Sequence, residues 1–81
     1  MAELRLERLP SVLERYPRSK ASFHSDVKSG LMIPAVRLGA RCSAYPSHEV
    51  DAVIAARVAG KSDDEVRQLV AELVARRKEA A

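Results

Sequence analysis

Leu9, Val12, Leu13 and Tyr16 recur at intervals of three and four, the period of a helix with one buried face. Pro10 suits the first turn, where a missing N–H costs nothing, and Ser11 with Glu14 has capping-box spacing; the two signals place the start a residue or two apart. Pro17 ends this helix, because the residue before a proline is pushed out of helical backbone. The apolar pattern then thins. Between Ser19 and Gly30 only Phe23 and Val27, four apart, are core residues; Lys20, Ala21, Ser22, His24, Ser25, Asp26 and Lys28 are small, polar or charged. Ser19 as N-cap and Gly30 as C-cap nevertheless bound a second helix over residues 19–29. The link of about three residues has helix-turn-helix spacing.

The period then shortens. Ile33, Val36 and Leu38 are strand formers, Gly39-Ala40 is a turn, and residues 41–45 return as a second strand. Pro34 makes the first strand an edge or a late starter. The hairpin over residues 33–45 carries Arg37 and Arg41 beside its tip. Helical spacing resumes behind Ser47, read as a cap, with Val50, Val53, Ile54 and Val58 on one side and Gly60 as the stop. Ser62-Asp63-Asp64-Glu65 is a capping box with acids in the first turn. It opens a fourth helix to about residue 78, striped by Val66, Leu69, Val70, Leu73 and Val74 and closed by Arg76-Arg77-Lys78.

Helix, turn, helix, hairpin, helix is the order of a winged helix-turn-helix: a mainly α chain with a small β-hairpin, to which an extra C-terminal helix is added. In that arrangement the second helix enters a DNA major groove. This gives the polar helix a purpose. With Phe23 and Val27 inward, about 100° per residue puts Ala21, Ser25 and Lys28 on the opposite side, flanked by Ser22 and His24. Small polar side chains let a helix approach base edges, and serine bonds several bases. The helix start at Ser19, with Lys20 beside it, suits a phosphate. The candidate DNA-binding residues are therefore Ser19, Lys20, Ala21, Ser22, His24, Ser25 and Lys28 on the helix, and Arg37 and Arg41 on the wing.

Charge sharpens this reading. Residues 1–45 hold eight Lys/Arg against four acids, whereas residues 46–81 hold six against seven. The positive charge lies with the polar helix and the hairpin, which suggests a polyanionic partner on that side. An 81-residue chain is one domain at most, and with no Trp its core is expected to be aliphatic. The single cysteine, Cys42, forms no internal disulfide and suits a reducing compartment; the chain reads as cytoplasmic, with no export signal and no membrane association. Cys42, His24 and His48 carry no triad or zinc-ligand spacing, so neither catalysis, a metal nor a cofactor is expected.

The stretches LPSVLERY, RSKASFHSDVKSG, AVRLGAR and SHEVDAVIAARV resemble the AlpA-type prophage regulators and the related small excisionases. The likeness covers roughly residues 6–58, and VRLGAR with HEVDAVIAAR carries most of its specificity. It implies a winged helix-turn-helix that binds double-stranded DNA. It implies either regulation of integrase-linked genes or action as a recombination directionality factor that steers an integrase toward excision of a mobile element. Copies side by side on repeated sites would bend the DNA. The chain departs from the family pattern at Pro17, usually glycine, at Tyr45 and Val53, usually tryptophan, and at Asp26, often apolar, where an exposed acid would repel a phosphate.

The expected division is a DNA-binding domain over residues 1–60 and, over 61–81, an amphipathic helix that either packs on it or mediates self-association. A reading from another class is an adaptor that binds a partner protein through helix 62–79.

Overall fold

The computed structural model describes residues 4–80 as mostly helical with a small antiparallel sheet. In chain order the elements are β1 (Leu6–Glu7), α1 (Leu9–Arg15), α2 (Lys20–Lys28), β2 (Val36–Gly39), β3 (Cys42–Pro46), α3 (Ser47–Val58), α4 (Asp63–Ala75) and a 3-10 turn (Arg76–Ala80). The strands lie in the order β1-β3-β2, so β3 is the centre. Leu6 faces Pro46 and Glu7 faces Tyr45 on one side of it; Val36 faces Ala44 and Arg37 faces Ser43 on the other.

One core serves all four helices. Val12, Phe23, Met32, Ile33, Val50, Val53 and Val66 have no exposed surface, and Tyr16, Tyr45, Val70 and Leu73 close around them. The stripe of α4 turns onto α3: Val66, Val70 and Leu73 are buried, and Leu69 and Val74 are half-buried against the same cluster. At about 25 cal/mol per Å² of apolar area, covering such a stripe is the main term that holds a short helix in place.

The helix ends follow local chemistry. Ser62 Oγ accepts from the Glu65 N–H and Glu65 Oε1 accepts from the Ser62 N–H, so the expected capping box is made in both directions. Gly60 sits at φ +78°, with its N–H on the Arg57 carbonyl and the Lys61 N–H on the Ala56 carbonyl, closing α3 in a Schellman turn.

Several expectations are corrected. The Ser11–Glu14 box is not made: the N-cap of α1 is Arg8, and the Ser11 hydroxyl donates to Glu7, which β1 holds nearby. Ser47 does not cap α3; it is already the first helical residue, behind Pro46. Its N–H, one of the first donors with no partner inside the helix, goes to the Arg5 carbonyl just before β1. The first hairpin strand starts at Val36 rather than at residue 33, because Met32 and Ile33 are drawn into the core and Pro34 has no N–H to offer a ladder. The fourth helix gives way to a 3-10 turn at Arg76.

Candidate nucleic-acid interface

Helix α2 is held at both ends by its own backbone chemistry. Ser19 Oγ accepts from the Ser22 N–H at 3.1 Å, so this serine is occupied as a cap. At the other end Gly30 takes φ +80°, its N–H reaches the Val27 carbonyl, and the Leu31 N–H reaches the Asp26 carbonyl at 2.8 Å. This is a Schellman stop, and it lets the chain leave the helix at once for the buried pair Met32-Ile33.

Phe23 fixes how α2 sits. Its ring stands nearly perpendicular to that of Tyr16, just past α1, at a centroid distance of 6.3 Å, and to that of Tyr45, on β3, at 5.3 Å. One side chain therefore joins the first helix, the second helix and the hairpin. Tyr45 is buried in this joint, and that burial pushes its phenol above the ordinary pKa.

The face of α2 away from Phe23 is open. Lys20, Ala21, His24, Ser25 and Lys28 are exposed, and Ser22 lies half-buried at the flank. The backbone of one turn is thus screened by nothing larger than Ala21 and Ser25. His24 stands beside this face, its ring edge-on to Phe23 at 6.0 Å. Arg37 and Arg41 are exposed on the hairpin. Leu38 between them has no cross-strand partner, since Arg37 pairs with Ser43 and Gly39 with Cys42; this one-residue bulge sharpens the tip. Arg37 reaches over the turn to the Ala40 carbonyl at 3.4 Å.

The cations divide into two groups. Arg15 bridges Glu7 and Asp51, Arg18 holds Asp26, Arg57 meets Asp63, Arg67 meets Asp64, and Arg77 holds Glu49. Lys61, just before α4, and Arg76, just after it, lie at 4.0 Å from Glu65 and Glu72 on that helix. Lys20, Lys28, Arg37 and Arg41 have no carboxylate partner among the described residues, a property they share with Arg8 and Lys78. All four candidate cations are therefore unneutralised.

Asp26 was the residue at odds with an anionic ligand. It lies on the inner edge of α2, 7% exposed, and Arg18 grips both of its oxygens: Nε donates to Oδ2 at 3.1 Å and Nη2 to Oδ1 at 3.0 Å. The carboxylate is turned away from the open face and paired, which removes the repulsion. No period in the sequence announces this grip, because Arg18 lies outside α2, before the Ser19 cap.

Cys42 is half-buried on β3, while His24 and His48 lie on α2 and α3. Among the described residues no group of His, Cys, Asp or Glu is placed to hold a metal ion, and no helix is long and apolar enough to cross a membrane. No protein-family model, curated protein or solved structure matches the chain.

Proposed function

We propose that this chain is a sequence-specific DNA-binding protein that works as a winged helix-turn-helix. Helix α2 enters a major groove with Ala21, Ser22, Ser25 and Lys28 toward base edges. The hairpin carries Arg37 and Arg41 to the adjacent backbone or minor groove, and the start of α2, with Lys20, takes a phosphate. The observation that carries this reading is the partition of charge. Lys20, Lys28, Arg37 and Arg41 are exposed and lack carboxylate partners, on a helix face of small side chains and on the hairpin joined to it through Phe23. The resemblance to AlpA-type regulators and small excisionases narrows the role to a mobile element. The chain would serve as a recombination directionality factor beside an integrase, as a transcriptional regulator, or as both, with neighbouring copies on repeated sites bending the DNA.

The adaptor reading needs an open apolar face on helix 62–79. It draws no support from α4, whose Val66, Val70 and Leu73 are covered by its own chain.

The deciding experiment is fluorescence anisotropy with duplex DNA over a range of salt. Four phosphate contacts predict a slope of log K against log salt of roughly −3.6, from about −0.9 per neutralised phosphate. A slope near zero sinks the nucleic-acid reading.

A further inference from the structure

Among the described residues Glu49 is the most buried acid, with 1% of its surface exposed, near the start of α3. Its partner comes from 28 residues further along the chain. In the 3-10 turn after α4, Arg77 Nε donates to both Glu49 oxygens, at 3.1 and 3.0 Å, and Nη2 donates to Oε1 at 2.6 Å. The same Nη2 also donates to the Pro34 carbonyl at 2.7 Å. Pro34 belongs to the short stretch between the buried Ile33 and the first residue of β2, so it is the stem of the hairpin. Among the described residues this is the one side-chain hydrogen bond made to residues 32–35.

The surroundings make that bond matter. An apolar groove lined by Leu4, Leu6, Val36, Pro46 and Leu73 runs between the hairpin stem and α4. Across this gap Arg77 is the bridge, and Glu49 fixes the arginine by taking two of its donors. A guanidinium forked onto a buried carboxylate is rigid, so its remaining contact is aimed rather than free to wander.

We infer that Arg77, buttressed by Glu49, is a positioning residue that sets the hairpin stem through the Pro34 carbonyl and thereby holds Arg37 and Arg41 in place for DNA. The binding part of this inference rests on the proposed DNA-binding function; the mechanical part does not. Arg77 itself touches no DNA in this scheme.

Two variants test it. Arg77→Lys keeps a cation beside Glu49 but lacks the planar fork that serves both acceptors. The pair Glu49→Leu with Arg77→Met removes both charges and fills the space with apolar atoms, an exchange that commonly leaves stability unchanged or raised. Amide hydrogen exchange is followed below the melting transition of each. In both variants the amides of residues 36–44 are expected to exchange faster than in the unaltered chain, with α3 and α4 still protected. Hairpin protection equal to that of the unaltered chain overturns the inference.

DNA binding supplies the second readout. Each variant is expected to bind a duplex roughly five- to tenfold more weakly, the scale of one lost contact. Placed on the double variant Arg37→Ala with Arg41→Ala, neither should weaken binding further, because both wing contacts are already gone. Full additivity with that double variant overturns the link to the wing. An unaltered chain that binds no duplex sinks the DNA-binding function instead, and the exchange measurement then decides the mechanical part alone.

Discussion

Replacing Phe23 with leucine tests whether one ring holds α2 to the rest of the molecule. Phe23 has no exposed surface, and its ring lies edge-on to Tyr16 at 6.3 Å and to Tyr45 at 5.3 Å. Leucine retains much of the buried aliphatic contact but forms neither aromatic pair. Such pairs contribute about 0.5–1.5 kcal/mol each beyond area burial, so losing two costs about 1–3 kcal/mol. Some cavity cost is added, since leucine is smaller and the neighbours relax only partly. For a chain of this size each kcal/mol moves the melting point by roughly 4–8 °C, so a fall of at least about 5 °C is expected. The assay is thermal and urea unfolding of Phe23→Leu, Tyr45→Leu and the double variant. The coupling between the two positions should be about 0.5 kcal/mol or more. Additive losses would mean that the rings are neighbours without being partners, and that α2 is placed by general packing.

Three further outcomes are expected. Arg41→Ala should weaken binding to all duplexes by a similar factor, whereas Ser25→Ala should change which sequence is preferred, by about 1–3 kcal/mol at the affected base pair; competition against a randomised site reads both, and an unmoved preference for Ser25→Ala means the helix is turned otherwise. Val66→Ala removes two buried methyl groups from α4 and should cost about 2 kcal/mol in urea unfolding, from about 0.8 per buried carbon plus a cavity term, while an unchanged midpoint would show that α4 adds nothing to the common core. The Arg15 hydrogen bond holds Glu7 below its ordinary value of 4.5, and bonds from the Ser62 backbone and hydroxyl do the same for Glu65; a depressed folded-state pKa stabilises above the unfolded value, so stability should be full above about pH 4.5 and fall as pH drops through the folded values, and Glu7→Gln should make that acid decline shallower.

What the sequence disclosed was whatever local chemistry controls. The Ser62–Glu65 box, the Gly30 and Gly60 stops and the inward side of α2 depend on residues no more than five apart, and all are found in the structure. What it hid depends on distance. β1 is two residues long and exists because β3 offers an edge to Leu6 and Glu7, which no period in a charged N-terminal stretch can announce. Ser11 has capping-box spacing to Glu14, yet Glu7 claims its hydroxyl, and Glu7 is there only because β1 pairs with β3. The late start of β2 has the same origin, since Ile33 has strand chemistry but the core takes it first. At the candidate interface, the exposed face of α2 followed from helical geometry, whereas the clamp of Arg77 on Glu49 and Pro34 joins residues 28 and 43 apart.

The same distinction governs the charge argument. Eight basic residues in the first 45 positions suggest an anionic partner, but a residue count weighs a committed arginine and a free one alike. Arg15 and Arg18 belong to that count and are committed: one ties β1 and α1 to α3 through Glu7 and Asp51, the other neutralises Asp26 beneath α2. Removing them together with Glu7 and Asp26 leaves six basic residues against two acids in the first half, the same excess carried by fewer side chains. What is left on the open helix and the hairpin is Lys20, Lys28, Arg37 and Arg41, with no acid opposing them among the described residues. Net charge measures attraction at long range, and salt screens it within about 10 Å. A bound phosphate instead needs donors that no carboxylate already holds. By that criterion the six Lys/Arg of residues 46–81 offer little, since five of them lie within 4.0 Å of an acid, while α2 and the hairpin retain their full complement.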